Sequence, residues 1–91
     1  MRESRIEQHL VRRIRRIGGE CFKFLSPGRV GVPDRLVVLP GGEVVWVELK
    51  MPRGILAAPQ IRMHKRLREL IQDVEVLRSV EAIDKRFPIE R

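Results

Sequence analysis

Residues 31–50, with the sequence GVPDRLVVLPGGEVVWVELK, decide how this chain folds. Two largely apolar runs, residues 36–39 and 44–50, flank the turn sequence Pro40-Gly41-Gly42. Apolar, β-branched runs on both sides of a glycine-rich turn predict a β-hairpin. We therefore expect the two runs to form neighbouring antiparallel strands at the centre of the fold.

Regular apolar spacing predicts helices on both sides of this hairpin. The first helix has a predicted buried face made of Ile6, Leu10, Ile14 and Ile17. The second has a predicted buried face made of Met63, Leu67, Leu70 and Ile71. In chain order, the predicted elements are a helix over residues 3–17, strands over 21–25, 36–39 and 44–50, a helix over 59–72, a strand over 74–77 and a short helix capped by Ser79.

The order of these elements indicates the fold class. A helix separates the last two strands, so these strands can lie parallel in one sheet through a right-handed crossover. The hairpin strands are antiparallel, which makes the sheet mixed. The sequence therefore predicts an α/β fold, in which a mixed sheet is flanked by helices.

The composition indicates one small basic domain, which we assign to residues 1–91. The chain has 19 Lys and Arg against 12 Asp and Glu, and its net charge of +7 favours a polyanionic partner, nucleic acid before an anionic membrane surface. The single cysteine, Cys21, excludes an internal disulfide or a multi-cysteine zinc site and indicates a reducing compartment. No apolar run approaches the roughly 20 residues that span a bilayer. We expect a cytoplasmic protein without a membrane partner.

Charged residues on the hairpin strands are the candidate chemical groups. Glu48 and Lys50 share a face, because successive strand side chains alternate. A three-residue connection sets Asp34 opposite Glu48, where two carboxylates about 5 Å apart repel unless a cation lies between them. Mg²⁺ or Mn²⁺ suits such oxygen ligands, and Lys50 would then stabilise negative charge on a phosphate. A two-residue turn through Gly41-Gly42 would instead place the carboxylates on opposite faces, and the sequence leaves both registers open.

Three segments together resemble a known family: Gly31-Val32-Pro33-Asp34, then Val47-Glu48-Leu49-Lys50, then Gln60 at the start of a helix. They are similar to the virus-type replication-repair nuclease (VRR-Nuc) domain of the PD-(D/E)XK nuclease superfamily. The resemblance runs from Glu7 to about Glu81, and it implies a restriction-endonuclease-like αβββαβ(α) core. One departure is Ile71-Gln72-Asp73, where the family often has a glycine.

The resemblance implies a metal site with a catalytic lysine beside it. Asp34 and Glu48 would bind the divalent metal, Mg²⁺ or Mn²⁺, with help from the backbone carbonyl of Leu49. Lys50 would be the catalytic lysine. The strand pattern by itself already singles out Asp34, Glu48 and Lys50 as candidate chemical groups.

Two helix residues complete the match. Glu7 corresponds to a glutamate on the family's first helix that approaches the metal site, and Gln60 corresponds to a glutamine on the following helix. Standalone members resemble Holliday-junction resolvases and dimerise. By this resemblance we expect a homodimeric endonuclease that cuts branched or junction DNA in a bacterial or phage-infected cell. The sequence leaves its biological pathway open, among phage replication, host-DNA degradation and packaging.

A different class of protein also fits the charge pattern. In a non-catalytic basic DNA-binding module, Glu48 and Lys50 would form a structural salt bridge on an edge strand. Arg29 and Arg35, which flank Asp34, are the predicted contacts to DNA phosphate near the site.

Two conspicuous residues receive structural assignments. His64 lies on the same helical stripe as Gln60, and we predict that it is a helix-surface or core-edge residue and not a ligand. Trp46 is predicted to belong to the core or to a dimer interface.

Overall fold

The structure is a computed structural model that describes residues 3–89. The predicted domain over residues 1–91 includes residues 1–2 and 90–91, which lie outside the described part. The elements are α1 (Glu3–Arg16), β1 (Glu20–Lys23), β2 (Arg35–Val38), β3 (Val44–Leu49), α2 (Ala58–Glu69), β4 (Asp73–Leu77) and α3 (Val80–Arg86). Within residues 3–89, no helix is both long and apolar enough to cross a membrane.

The four strands form one mixed sheet in the order β1-β2-β3-β4. β1 pairs with β2, and β2 with β3, in the antiparallel sense. β3 and β4 are parallel, and α2 provides the crossover between them. The predicted α/β class, the order of the elements and the parallel pair are confirmed.

A three-residue turn connects β2 and β3. The backbone N–H of Leu39 donates to the carbonyl of Glu43 at 2.8 Å, so Pro40-Gly41-Gly42 is the whole connection. Gly41 and Gly42 have φ angles of 94° and 96°, a region that side chains disfavour. The two glycines therefore permit the odd-numbered turn.

The hydrophobic core lies between one face of the sheet and the pair α1 and α3. The apolar face of α1 is placed as predicted, since Ile6, Leu10 and Ile14 are fully buried, while Ile17 is partly buried at the edge. Each such side chain contributes about 1.5–3 kcal/mol relative to exposure. Phe87, which follows α3, is buried in the same cluster. The packing of α1 and α3 on this face therefore stabilises the sheet.

α2 lies on the opposite face and buries a different side from the predicted one. Its only buried side chain among the described residues is His64. Met63 and Leu67 are half-buried, and Leu70 and Ile71 are 51% and 88% exposed. The helix ends at Glu69, before these last two residues, which belong to its cap. The prediction that the helix continues to residue 72 with an apolar buried face is wrong.

The C-terminus of α2 is a Schellman motif without its usual glycine. The N–H of Ile71 donates to the carbonyl of Arg68 at 3.0 Å, and the N–H of Gln72 donates to that of Leu67 at 2.9 Å. Ile71 has a φ angle of 63°, the left-handed conformation that costs a side-chain-bearing residue about 1–2 kcal/mol.

We expect Ile71→Gly to stabilise the protein by about 1 kcal/mol, because glycine relieves the left-handed strain and the exposed side chain loses little packing. Thermal unfolding should then occur roughly 4–8 °C higher. Ile55→Gly is the matched control, since Ile55 is 86% exposed and has no positive φ angle. Equal melting shifts for the two variants would contradict the strain at Ile71.

Candidate active site

Asp34 and Glu48 lie opposite each other on neighbouring strands. In the β2–β3 pair, Arg35 is opposite Val47. One further step along this register sets Asp34 opposite Glu48. Directly opposed residues project to the same side of a sheet, with Cβ atoms about 4.5–5.5 Å apart. Of the two registers that the sequence left open, the structure has the one that brings both carboxylates to one face.

Asp34 has a half-buried carboxyl group at the entry to β2. Its Oδ1 atom is shielded from solvent and has no hydrogen-bond partner within residues 3–89. Burial raises the pKa of Asp34, and the neighbouring Arg35 guanidinium only partly offsets that rise. A buried carboxylate oxygen without a donor is costly, and a bound cation would remove that cost.

Glu48 is held in place from α2. Its side chain is almost fully buried, and Gln60 Nε2 donates to its Oε2 atom at 3.2 Å. The Oε1 atom of the same glutamine accepts from the backbone N–H of Ala57 at 2.8 Å. Ala57 has no side-chain acceptor, so this is one half of a capping box at the start of α2. One side chain therefore caps the helix and also fixes Glu48.

His64 approaches the other oxygen of the same carboxylate. Its Nε2 atom lies 4.0 Å from Glu48 Oε1, and the residue is 1% exposed. Burial lowers the pKa of His64, and the charges of Arg68 and Lys50 lower it further. The prediction that His64 is a helix-surface or core-edge residue is wrong. The four-residue spacing between Gln60 and His64 could have predicted this position, because residues four apart share a helix face and Gln60 was already assigned to the site.

Lys50 follows Glu48 on the same face, and the end of β4 fixes its backbone. Its N–H donates to the carbonyl of Leu77 at 3.1 Å, which continues the parallel ladder beyond β3. The loop that follows is held by the Arg78 guanidinium, which donates to the carbonyls of Met51 and Gly54. Lys50 therefore lies two residues beyond Glu48 on the same strand face, with its backbone hydrogen-bonded to the end of β4.

Gly31 joins the loop before Asp34 to the start of α2. Its φ angle is 86°, and a Cβ atom there would lie 2.6 Å from the carbonyl carbon of Pro59 and closer still to its oxygen. Only glycine allows the two backbones to approach this closely. The contact brings the loop that carries Asp34 against the helix turn that carries Gln60.

Arg35 is placed differently from its predicted role, whereas Glu7 acts on Asp34: burial raises the pKa of Asp34, and the negative charge of Glu7 raises it further. Glu7 and Arg35 form an ion pair with each other, and Arg35 is only 7% exposed. Arg35 alternates with Asp34 along the strand, so it points to the α1 side of the sheet. Within residues 3–89, no group of three or more His, Cys, Asp or Glu side chains is placed to hold a metal. Glu7 therefore does not join Asp34 and Glu48 in a three-carboxylate cluster, and burial keeps Arg35 from the predicted phosphate contact.

The donors that remain fit a hard divalent cation. Asp34 and Glu48 offer carboxylate oxygens, one of them the Oδ1 atom of Asp34, which has no hydrogen-bond partner within residues 3–89. Mg²⁺ and Mn²⁺ prefer oxygen ligands, and Mg²⁺ commonly uses one or two carboxylates together with water and phosphate oxygens. The residues present suit such an ion.

Together, the mixed sheet, the flanking helices and the carboxylate–lysine face define a domain of the restriction-endonuclease-like class. A solved structure described as a "VRR_NUC domain" matches with a TM-score of 0.86 and 34% identity, over 91% of this chain and 90% of that one. "Putative nuclease p44" of Acyrthosiphon pisum secondary endosymbiont phage 1 is 52% identical over 79 residues, which are 87% of this chain and 85% of the relative. No family model matches the chain.

The chain belongs to the VRR-Nuc family of nucleases, as its sequence motifs indicated. Identity and coverage extend over most of both chains, so the relationship is one of whole domains. The restriction-endonuclease-like fold that the resemblance implied is confirmed.

We expect Gly31→Ala to destabilise the protein by about 2 kcal/mol or more. The added methyl group must displace Pro59, and the alanine backbone must adopt a left-handed conformation. Gly28→Ala is the matched control. Gly28 has a φ angle of 80°, but a Cβ atom there would meet nothing within 4 Å. Chemical denaturation should give a clearly lower free energy of unfolding for Gly31→Ala than for Gly28→Ala. Equal losses of stability in the two variants would argue against the backbone contact between Gly31 and Pro59.

Proposed function

We propose that this protein is a divalent-metal-dependent endonuclease that hydrolyses DNA phosphodiester bonds. The observation that carries the proposal is the β2–β3 register, which brings Asp34 and Glu48 to one face with Lys50 beside them. Membership of a nuclease family supports the reaction class. Hydrolysis of a phosphodiester needs charge neutralisation at the phosphate and a positioned water, and this face has groups suited to both.

Each side chain has a distinct role in the proposed reaction. Asp34 and Glu48, with the Leu49 carbonyl, would hold Mg²⁺ or Mn²⁺. When bound, such an ion would polarise the phosphate and acidify a water molecule. The Lys50 ammonium would orient the attacking water and stabilise the negative charge that develops on the phosphate. Gln60 keeps the Glu48 carboxylate in one orientation through its 3.2 Å hydrogen bond.

A basic cleft next to this face suits the DNA backbone. Arg29, from the loop before Asp34, lines one cavity together with Arg62 and Arg66 of α2. All three arginines are exposed, unlike Arg35. Exposed arginines around a groove bind phosphates through charge and hydrogen bonds without reading bases. We therefore keep Arg29 as a phosphate contact and assign this cleft to a DNA strand that leads into the site.

The preferred substrate in this proposal is branched DNA, including Holliday junctions. Contacts to phosphate alone select DNA by shape and by the spacing of its strands, and none of the described elements presents an evident base-reading helix. The phage relative supports action on DNA inside a bacterial or phage-infected cell, hence in the cytoplasm. Replication or repair intermediates would supply such branches.

The proposal predicts metal-dependent cleavage that requires three side chains. Four-way-junction and linear duplex DNA are incubated with the purified protein in Mg²⁺, Mn²⁺ or chelator. We expect junction cleavage with metal, none with chelator, and losses of about 10²–10³-fold for Asp34→Asn, Glu48→Gln and Lys50→Ala, since each removes a group that acts on the reacting phosphate or its metal.

Matched substitutions outside the site control for charge and folding. Glu81→Gln and Lys85→Ala change exposed residues of α3 and should leave cleavage within about twofold of the unsubstituted protein. Cleavage that survives in all three site variants would reject the assigned residues. DNA binding without cleavage by the unsubstituted protein would favour the non-catalytic DNA-binding module. Equal rates on both DNAs would reject branch specificity alone.

We further propose that the protein is a symmetric homodimer. Exposed apolar side chains lie on the α2 side of the molecule: Phe22 is 51%, Val44 is 39%, Ile61 is 54% and Leu70 is 51% exposed. Phe22 and Val44 lie on the same sheet face as Trp46, as their strand positions require. Exposed apolar surface of this kind commonly marks an interface, and a two-fold axis would pair two active sites on two strands.

Sedimentation equilibrium tests the assembly. The 10.6 kDa chain should sediment with twice that mass. Phe22→Lys should shift the equilibrium to monomer, because it places a charge in the apolar patch. Ile55→Lys, in the loop after β3, should leave the dimer intact. A single monomeric species for the unsubstituted protein at high concentration would rule out the dimer.

A further inference from the structure

The proposed reaction assigns no role to the buried histidine of α2. His64 is 1% exposed, and neither of its ring nitrogens has a hydrogen-bond partner within residues 3–89. A buried polar group without a partner costs about 1–3 kcal/mol. An apolar side chain of similar size would fill the same volume without that cost. Packing alone therefore does not explain an imidazole at this position.

The ring lies beside one carboxylate oxygen of Glu48. His64 Nε2 is 4.0 Å from Oε1, and Gln60 Nε2 is 3.2 Å from Oε2. Because Gln60 and His64 are four residues apart, they follow each other on the helix face that meets the sheet. α2 thus presents one nitrogen to each oxygen of the same carboxylate.

We propose that His64 is a positioning residue that, together with Gln60, sets the orientation of the Glu48 carboxylate for metal binding. The inference rests on the proposed function, in which Glu48 holds the divalent ion. A carboxylate approached at both oxygens has less freedom to rotate, and its remaining lone pairs are then directed away from α2. Groups that orient a ligating carboxylate typically change metal affinity by 10–100-fold when they are replaced.

A neutral imidazole suits this role better than a cation would. It has one N–H donor and one acceptor, and in the tautomer protonated on Nε2 the donor is on the nitrogen that lies 4.0 Å from Glu48 Oε1. It also adds no positive charge beside the proposed metal site. Lys50 provides the positive charge on this face, so Lys50 and His64 have different roles.

Mn²⁺ binding to the whole protein, followed by electron paramagnetic resonance without DNA, tests the inference independently of catalysis. His64→Leu fills the space without a donor, and His64→Gln keeps a side-chain amide nitrogen at a comparable reach. We expect Mn²⁺ binding about 10–100-fold weaker in His64→Leu and near the unsubstituted value in His64→Gln. His9→Gln, which changes the histidine on α1, should bind Mn²⁺ normally.

Two other measurements separate positioning from packing. Thermal unfolding of His64→Leu in chelator should occur at or above the temperature of the unsubstituted protein, because the unpartnered ring nitrogens are gone. In cleavage assays, the Mn²⁺ concentration for half-maximal activity should rise by the same factor as the binding constant, while the KM for DNA stays unchanged. His64→Gln should restore both values.

The outcomes distinguish this inference from the function on which it rests. If the unsubstituted protein binds Mn²⁺ and His64→Leu binds it equally well, the positioning role is overturned and the nuclease proposal stands. If the leucine and glutamine variants lose metal binding equally and both melt early, His64 is a packing residue, and the inference is again overturned. If the unsubstituted protein neither binds Mn²⁺ nor cleaves DNA, the proposed function fails and the inference fails with it.

Discussion

The register of one hairpin is the constraint on which the candidate site depends. Strand side chains alternate with a period of two, so one residue more or less in the turn would reverse the face of every side chain on one strand relative to the other. Pro40-Gly41-Gly42 sets the register, and the positive φ angles of both glycines allow its shape. Asp34 and Glu48 face the same side only because of this turn. The same alternation gives β2 and β3 a buried apolar face towards α1 and α3.

The two faces of the sheet have separate tasks. The α1 side contains the apolar core, and there Glu7 forms an ion pair with the buried guanidinium of Arg35. The α2 side contains the candidate chemistry, where Gln60 and His64 approach Glu48. An unpartnered carboxylate oxygen at Asp34 and unpartnered ring nitrogens at His64 are costs to folding. Such costs are expected where a protein keeps polar groups ready for a ligand.

The sequence predicted the fold well, because its strongest signals are local. Apolar spacing placed the buried face of α1, and the glycine-rich turn placed the hairpin. The turn length stayed open, because two- and three-residue connections both suit Pro40-Gly41-Gly42. The end of α2 was misplaced, because Ile71 adopts the conformation that normally requires glycine.

The sequence predicted the positions of the strand residues in the candidate site better than those of its helix residues. Asp34, Glu48 and Lys50 followed from strand alternation and the family motif. The pairing of Glu7 with Arg35 was missed, although alternation already sets Arg35 on the opposite face from Asp34. His64 was assigned wrongly, because the rotation of a helix about its axis depends on tertiary contacts, such as the close approach of Gly31 to Pro59, that local spacing does not contain.

The parallel pairing of β3 with β4 has a consequence for the order of assembly. Asp34 precedes Glu48 by 14 residues, and the crossover through α2 places Gln60 only 12 residues after it. The entropy cost of closing a loop depends on its length, and these two loops are of similar length. Neither contact has the advantage of a shorter chain separation, so we expect the two acids and the side chain that orients Glu48 to come together in one cooperative step of folding.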